Sequence, residues 1–383
     1  MEKKIYTAIG LMSGTSMDGV DASIIRSDGF NHFENILDKY YEFDEKLYEK
    51  LVNLRNLVLI KDDLNTHSNK LATLEKEITI FHSEIVNNII SNHKNNIDLI
   101  GFHGQTIYHN PTQKISKQLG DGRLLSQLTR KKVVYDFRQK DLKNGGQGAP
   151  LTPIFHSLIA RHIHNKNYVE YPINILNIGG ISNITRINSK DIEVSNNIEA
   201  YDIGPGNCLI NNWIRENSNK RFDENGLIAK SGKINKNLLN QALENFNINS
   251  YNNSLDVKDF DISFARGLSC EDGCATITNF TAFLIAEGIK FINQNERNIV
   301  SRYLICGGGR KNSFLIETIK DYLSGFNNLI LESIDNYNLN GDYIESQAFG
   351  FLGIRSLLNL PISFPKTTRC KSPTSGGILI KNY

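Results

Sequence analysis

The residues best suited to chemistry lie near the start of the chain, in a glycine-rich segment. Residues 10–21 read GLMSGTSMDGVD and are flanked by apolar positions. This pattern predicts a strand, a tight turn and a second strand. The segment carries hydroxyls at Ser13, Thr15 and Ser16 and carboxylates at Asp18 and Asp21. Because glycine lets backbone N–H groups approach an anion and carboxylates suit Mg²⁺, the segment is typical of a phosphate- and magnesium-binding hairpin. For a lone hairpin, however, an ordinary Gly/Ser/Asp turn would be the better interpretation.

Two further glycine-rich turns follow apolar strands. Residues 175–178 lead into Gly179 and Gly180, and residues 303–306 lead into the triplet 307–309. The chain has no Gly-x-x-x-x-Gly-Lys-Ser/Thr loop, which excludes a P-loop protein, and no Gly-x-Gly-x-x-Gly that opens a helix, which argues against a dinucleotide-binding fold. Three such turns predict a nucleotide-binding fold of two lobes, with one phosphate hairpin in each lobe and a third turn for the nucleoside.

Composition narrows the class of protein. A chain of 383 residues is long enough for two domains, and its formal charge of +2 gives no broad basic surface for nucleic acid. No run approaches the roughly 18 apolar residues that a membrane span needs. The five cysteines are odd in number and lack the spacing of a disulfide framework, which favours reduced thiols. The sequence predicts a cytoplasmic protein with no nucleic-acid or membrane partner.

The elements that position these turns follow an α/β pattern. Apolar residues recur at spacings of three and four between Leu71 and Ile89, as in an amphipathic helix. Residues 97–102 form a mostly apolar run, which indicates a buried parallel strand. His103 and Gln105 follow directly, at the carboxyl end of that strand, where ligands bind in open α/β sheets. Strands that alternate with helices predict an α/β protein.

The motifs together resemble the anhydro-N-acetylmuramic acid kinase family, a branch of the sugar kinase, Hsp70 and actin superfamily. The matching segments are residues 10–21, 103–106, 109–111, 118–121, 136–138, 145–151, 176–183, 201–207 and 306–309. Each motif alone is weak, but their order and spacing agree with the family from near the start of the chain to about residue 376. Residues 214–295 match only loosely, so no role is transferred to them.

The resemblance implies a two-lobed, actin-like and sugar-kinase (ribonuclease-H-like) ATPase fold, with the active site in a cleft between the lobes. It implies an N-terminal lobe of residues 1–131, on which the segment 358–383 packs back, and a second lobe of residues 132–357. It also implies a homodimer.

The activity that the resemblance implies uses ATP and Mg²⁺. The enzyme would open the internal bridge of 1,6-anhydro-N-acetylmuramic acid with water and phosphorylate O6, giving N-acetylmuramic acid 6-phosphate and ADP. One alternative is a plain sugar kinase of the same fold that phosphorylates a free hydroxyl. An actin- or Hsp70-like switch acting on protein partners is disfavoured, because no peptide-binding domain is expected in this chain.

The resemblance assigns the water-activating base to Asp202, which precedes the rigid turn 203–207. From the residues alone, Asp202 is as well explained as a cap of the helix expected near Asn207. Asp136 and Asp141 are the second choices for the base. With Arg138 between them, an ion pair that holds the following loop is the simpler explanation.

Four residues are expected to contact the sugar: His103, Gln105, Arg138 and Glu345. Arg138 has the planar fork that suits the lactyl carboxylate. A histidine that follows a strand is more often structural, and a glutamate in a first helical turn also suits the helix dipole, so both alternatives stay open. The nucleotide residues implied are Gly14, Thr15, Ser16, Met17, Asp18, Gly19, Val20, Asp21, Gly179, Gly180, Ser182, Gly307, Gly308 and Gly309, with Asp18 and Asp21 on the metal.

Overall fold

The chain forms two compact units in the computed structural model, which describes residues 4–94, 96–191, 197–246, 251, 254–294 and 299–381. Unit 1 consists of Met1–Lys166, Lys190–Glu199 and Tyr343–Tyr383. Unit 2 consists of Asn167–Ser189 and Ala200–Asp342. Each unit combines one β-sheet with α-helices, so the predicted two-lobed α/β class is confirmed.

The described strands and helices have the following bounds. The strands are β1 (Tyr6–Ser13), β2 (Gly19–Ser27), β3 (Phe33–Glu42), β4 (Leu99–Asn110), β5 (Ile115–Leu119), β6 (Lys132–Tyr135), β7 (Ile173–Ile178), β8 (Ile181–Ile187), β9 (Ile198–Pro205), β10 (Ser301–Cys306), β11 (Leu329–Ser333) and β12 (Ile378–Ile380). The α-helices are α1 (Glu45–Leu57), α2 (Asp63–Thr66), α3 (Ser68–Asn92), α4 (Gly122–Thr129), α5 (Gln139–Lys143), α6 (Pro153–Asn167), α7 (Cys208–Asn217), α8 (Leu227–Ser231), α9 (Lys236–Asn245), α10 (Cys270–Asn293), α11 (Ser313–Tyr322), α12 (Ile344–Leu357) and α13 (Pro365–Thr368).

The two sheets share one strand order. In unit 1 the order is β12-β6-β4-β1-β2-β3, with β5 paired to β4; in unit 2 it is β11-β10-β7-β8-β9. In unit 1, β1 is antiparallel to β2 and parallel to β4, and β4 is parallel to β6. In unit 2, β7 is likewise antiparallel to β8 and parallel to β10, and β10 is parallel to β11. This is the ribonuclease-H-like order, and the β1–β2 and β7–β8 glycine turns occupy equivalent positions in the two copies.

Helix α12 lies directly against the middle of the first sheet because glycines remove the side chains between them. A Cβ on Gly10 of β1 would overlap the carbonyl oxygen of Ser346, and one on Gly101 of β4 would overlap that of Phe349. On the helix side, Gly353 faces Gly101, with 3.2 Å between an ideal Cβ and the Gly101 Cα. The first two turns of α12 are thereby held close to β1 at Gly10 and to β4 at Gly101.

We expect Gly101→Ala to lower the free energy of unfolding by about 2–4 kcal/mol, because the added methyl forces the helix backbone away from the sheet. Gly325→Ala is the matched control: a Cβ there meets nothing within 4 Å, so the change should stay within about 0.5 kcal/mol. Urea unfolding of the two variants measures both values. Equal stability would contradict the close packing of α12.

The core of unit 2 is built around α10. This helix is almost wholly buried and packs with α7, α8, α9 and α11 on the sheet. Among the described helices, α10 is long and apolar enough to cross a membrane. However, 72% of its most apolar window is buried inside the protein, as in the core helix of a globular domain.

The predicted boundaries between the lobes, at residues 131 and 357, can be compared with the bounds of the two units. Residue 131 precedes β6, which pairs with β4 inside the first sheet, and residue 357 ends α12, which packs on that sheet. Both predicted limits therefore fall inside unit 1. The segment 358–383 contributes β12, which pairs antiparallel with β6 in the same unit.

Candidate active site

The glycine hairpin of unit 1 joins β1 to β2, with Met12 paired to Asp21 across it. The turn is closed by the Met17 N–H, which donates to the Gly14 carbonyl at 3.3 Å. Gln105 of the neighbouring β4, which is paired with Ser13 of β1, donates from Nε2 to the same carbonyl at 3.0 Å. Gln105 is predicted to contact the sugar; its amide nitrogen supports the hairpin, and among the described residues its buried Oε1 has no hydrogen-bond partner.

Gly14 and Gly19 of this turn differ in whether packing within the chain requires glycine there. A Cβ on Gly19 would contact the Tyr41 carbonyl at 2.5 Å, so packing in the sheet explains that glycine. A Cβ on Gly14 would meet only the hydroxyl of Ser16, at 3.8 Å, and the backbone there is outside the left-handed region. Neither packing nor backbone conformation requires glycine at position 14. A ligand that approaches the backbone would require it.

The carboxylates of this hairpin fit a magnesium ion that is shared with phosphates. Asp18 and Asp21 are both half-buried, and Asp18 Oδ1 accepts a hydrogen bond of 2.5 Å from the Ser16 hydroxyl. Among the described residues, no group of three or more His, Cys, Asp or Glu side chains could hold a metal by itself. Mg²⁺ commonly binds through one or two carboxylates with the remaining ligands from substrate phosphates and water, so Asp18 and Asp21 are donors of the type that such a site would use.

Buried His103 and half-buried Arg138 form a pair. His103 is predicted at the carboxyl end of its strand, but β4 continues to Asn110, so His103 lies within it; Arg138 lies three residues after β6. The Nδ1 of His103 lies 2.7 Å from the Gly104 carbonyl and must donate to it, so Nε2 is the acceptor for the Arg138 guanidinium at 2.9 Å. Burial, with a smaller effect of the Arg138 charge, holds the pKa of His103 well below 6.5. Both ring nitrogens are engaged, so His103 orients Arg138 and would contact a sugar hydroxyl only by releasing it.

Glu345 lies in the first turn of α12, near Arg138. Burial raises the pKa of the Glu345 carboxyl, while the charge of Arg138 opposes that rise. One helical turn later, the ring of Phe349 packs on His103 with 4.5 Å between the ring centres. Three of the four predicted sugar residues, His103, Arg138 and Glu345, are thus brought together within unit 1.

A buried polar network fixes the first turn of α12. Asp38 of β3 accepts from the Ser23 hydroxyl at 2.6 Å and from Gln347 Nε2 at 3.1 Å. The hydroxyls of Ser23 and Ser346 lie 2.6 Å apart. Because Ser346 and Gln347 directly follow Glu345, these contacts with β2 and β3 set where the Glu345 backbone lies. Nothing in the local sequence around Asp38 indicates this network.

Asp141 and Asp136, the second choices for the base, have different environments. Asp141 is buried and fully used by the scaffold: Oδ2 accepts from the Gly148 N–H at 2.7 Å and Oδ1 accepts from the Thr368 hydroxyl at 2.6 Å. Asp136 is half-buried, has a φ of 54°, and lines a cavity of about 260 Å³ beside His103. Burial raises its pKa despite the opposing charges of Lys143 and Lys117. Asp136 is therefore the better of the two second choices.

Acid should weaken unit 1 selectively, because all nine histidines of the chain lie in it. Burial lowers the pKa of His82 and His109 to about 4 and of His156 to about 3. Between these lowered pKa values and pH 6.5, the unfolded chain binds protons that the folded chain does not. The free energy of unfolding therefore falls as the pH falls, by about 1.4 kcal/mol per pH unit for each such histidine.

Hydrogen exchange at pH 7 and pH 5, corrected for intrinsic rates, measures this effect for each unit. We expect protection to fall in unit 1 and to change little in unit 2, whose lowered carboxyl pKa values lie below 3.8. The raised pKa values of Asp136 and Glu345 act in the opposite direction. They concern only two carboxyls, whereas four buried imidazoles have a lowered pKa. An equal loss of protection in both units would contradict the prediction.

Asp202 lies in unit 2, inside β9, and its side chain is buried. The helix that follows, α7, has Asn207 at its N-cap position, five residues further on. Asp202 is therefore not the cap of that helix, which removes the structural alternative raised by the sequence. Its Oδ2 accepts from the Leu255 N–H at 2.9 Å, so the carboxylate is held in a fixed orientation by a segment distant in sequence.

The predicted rigid turn 203–207 is partly strand, because β9 continues to Pro205, and the two residues after β9 are bonded to the glycine turn between β7 and β8. The Gly206 N–H donates to the Gly180 carbonyl at 2.8 Å, and the Asn207 N–H donates to the Gly179 carbonyl at 2.7 Å. The Ser182 hydroxyl donates to the carbonyl of Pro205, the last residue of β9, at 3.0 Å. Ser182 is thus used by the scaffold, whereas a Cβ on Gly179 would have no neighbour closer than 3.7 Å.

The glycine triplet after β10 packs against the end of β7 and lies beside Asn207. A Cβ on Gly307 would lie 2.7 Å from the Ile178 carbonyl, and one on Gly309 would overlap the Ile178 side chain. Packing on the end of β7 therefore explains both glycines. A Cβ on Gly308 would meet only the amide of Asn207, at 3.6 Å, so position 308 is where the turn leaves room.

Comparisons with known proteins agree with this description. The family model described as anhydro-N-acetylmuramic acid kinase matches residues 6–382. An anhydro-N-acetylmuramic acid kinase of Pelagibacter ubique is 50% identical over all 383 residues, which is 100% of both chains. One of Brucella canis is 35% identical over 379 residues, or 98% of each chain.

Among solved structures, the activator of the 2-hydroxyisocaproyl-CoA dehydratase from Clostridium difficile with bound ADPNP matches with a TM-score of 0.40. Its identity is 11%, over 91% of this chain and 94% of that one, and so low a likeness carries no conclusion. The sequence relatives and the family model do: the chain belongs to the anhydro-N-acetylmuramic acid kinase family.

Proposed function

We propose that this protein is an anhydro-N-acetylmuramic acid kinase, which uses ATP and water to convert 1,6-anhydro-N-acetylmuramic acid into N-acetylmuramic acid 6-phosphate and ADP. The observation that carries the proposal is the family match over residues 6–382, nearly the whole chain. The 50% identity to a relative of that name over its full length supports the same substrate.

In the mechanism we propose, Asp202 is the general base. It takes a proton from a water molecule as the water oxygen bonds to the anomeric carbon. The bond between that carbon and O6 breaks, and O6 bonds to the γ-phosphorus as the bond to the leaving ADP breaks. The buried position of Asp202 and its bond to the Leu255 N–H support this role, because a base must be held still to act on one water.

The sugar is held in this proposal by Arg138 and Glu345. Arg138 is oriented by His103 and by the Gly148 carbonyl, to which it donates at 2.7 Å. Its planar guanidinium suits the lactyl carboxylate of the substrate. Gln105, whose buried Oε1 is unpartnered, is assigned to a substrate hydroxyl or an ordered water, the kinds of donor that such an atom requires.

The nucleotide is assigned to residues of both units. In unit 1 it would contact the hairpin 14–21, and in unit 2 the turn at Gly179 and Gly180 together with the triplet 307–309. The open positions at Gly14, Gly179 and Gly308 support this assignment, because nothing else in the structure of those turns requires glycine there. Asp18 and Asp21 would hold Mg²⁺, which when bound neutralises charge on the transferred phosphate.

The test is a product assay with purified protein, ATP and Mg²⁺, offering anhydro-N-acetylmuramic acid or free N-acetylmuramic acid. We expect ADP and the 6-phosphate from the anhydro sugar. Product from the free sugar alone would instead establish a plain sugar kinase, and ATP turnover that is indifferent to sugar would establish a switch. Light scattering on the same sample tests the homodimer, which rests on the family resemblance alone.

A further inference from the structure

Arg310 directly follows the glycine triplet of unit 2, and every N–H of its guanidinium is used. Nε and Nη2 donate to the two oxygens of Asp335, at 2.8 and 3.2 Å. Nη1 donates to Asp342 at 2.5 Å and to the Gly307 carbonyl at 3.1 Å. The second N–H of Nη2 donates to Asn340 at 3.3 Å. A guanidinium has five N–H donors, and all five have acceptors here.

These bonds hold the triplet turn from both sides. The Gly307 carbonyl accepts from Arg310, while the Gly307 N–H donates to the Gly341 carbonyl at 2.9 Å. Gly307 has a φ of 80°, a left-handed conformation that needs support from its surroundings. Gly341 lies against Arg310 itself: a Cβ there would be 2.6 Å from the Arg310 Nε. The loop 335–342 thus forms a socket for the guanidinium.

The Arg310 side chain is buried although Asp335 and Asn340 are exposed, and a buried guanidinium is costly unless it is fully paired. Only 6% of the Arg310 side chain is exposed. Burial alone would lower the pKa of Arg310, but the bonds to Asp342 and Asp335 outweigh it and raise that pKa. Lysine could not replace this arrangement, since one ammonium cannot reach acceptors spread around a planar fork.

We infer that Arg310 is a positioning residue for nucleotide binding: it fixes the turn 307–309 in the conformation that receives the nucleoside of ATP. This inference rests on the proposed function, which assigns the triplet to the nucleotide. Gly308, the position where the turn leaves room, lies between Gly307 and Gly309, so the conformation of Gly307 determines where the turn presents its backbone.

Two variants test the inference by different routes. Arg310→Lys keeps the charge and removes the fork, while Gly341→Ala keeps every charged group and displaces the guanidinium. The control is Arg215→Lys, which alters a half-buried arginine of α7 in the same unit, where Nε donates to the Arg221 carbonyl at 3.2 Å. ATP affinity is measured by calorimetry without sugar, and KM for ATP and for the anhydro sugar is measured in the product assay.

We expect both variants to bind ATP about 10- to 100-fold more weakly, with KM for the sugar within about twofold of wild type and the control unchanged. A folded Arg310→Lys that binds ATP within twofold of wild type overturns the inference. So does an equal rise in both KM values, which would indicate a general loss of structure. If Arg310→Lys does not fold, Gly341→Ala decides by the same criteria. Failure of the wild type to bind ATP would overturn the proposed function instead.

Discussion

Asp202→Asn is expected to lower kcat by about 10²- to 10⁴-fold while ATP affinity stays within about twofold of wild type. Asparagine has nearly the same shape and keeps an oxygen that can accept from the Leu255 N–H, which lies 2.9 Å from the carboxylate. It cannot take a proton from water, so the attack on the anomeric carbon loses its base. The rate is measured as ADP released in the presence of the anhydro sugar, and the affinity by calorimetry.

Asp321→Asn is the matched control for this experiment. Asp321 is an exposed carboxylate of the same unit, on α11, and its loss should leave both the rate and the affinity unchanged. Asp136→Asn is tested beside it, because Asp136 is the better of the two second choices for the base. A near-normal rate for Asp202→Asn with a large loss for Asp136→Asn would transfer the role of base to Asp136.

The sequence predicts well those features that short segments determine. Helix α3 spans Ser68–Asn92, as the apolar spacing between Leu71 and Ile89 predicts, and the hairpin of β1 and β2 forms where the glycine-rich segment predicts it. In each case the residues that specify the structure are neighbours along the chain or recur with one period. The order and spacing of the motifs also identify the family, and the family model that matches residues 6–382 confirms it.

Features that depend on distant contacts could not be predicted. Asp38 and Gln347 are 309 positions apart, and only the pairing of β2 with β3 and the packing of α12 bring them together. The use of both His103 ring nitrogens depends likewise on Arg138, 35 positions away. Local sequence indicated that His103 faces a ligand site but not that its nitrogens are already engaged.

A glycine in a turn can be required by packing within the chain or by a ligand that approaches the backbone. The structure distinguishes these two explanations, which the sequence alone does not. Gly10, Gly101 and Gly309 are required by the backbone or side chain packed on them, whereas Gly14 and Gly308 have open space. A glycine without a packing reason is the more informative one, because something outside the chain must then explain it. This distinction selects which of the predicted nucleotide residues give the sharpest test.

Gly14→Val is expected to weaken ATP binding by about 100-fold or more without unfolding the protein. A Cβ at position 14 would meet only the Ser16 hydroxyl, at 3.8 Å, so stability should change little. The branched side chain would occupy the space through which phosphate reaches the backbone N–H groups of the hairpin, and each charge-assisted hydrogen bond lost costs about 1.5–3 kcal/mol. Calorimetric titration with ATP measures the affinity, and urea unfolding measures the stability.

Gly325→Val makes the same substitution at a second open position, where a Cβ meets nothing within 4 Å, and should leave ATP affinity unchanged. An affinity for ATP in Gly14→Val that equals that of the control would exclude the hairpin from the phosphate site. A rise in KM for the sugar alone would instead assign the hairpin to the sugar. Weak ATP binding with normal stability is the outcome that only a phosphate at the hairpin explains, because the fold itself makes no use of the space beside Gly14.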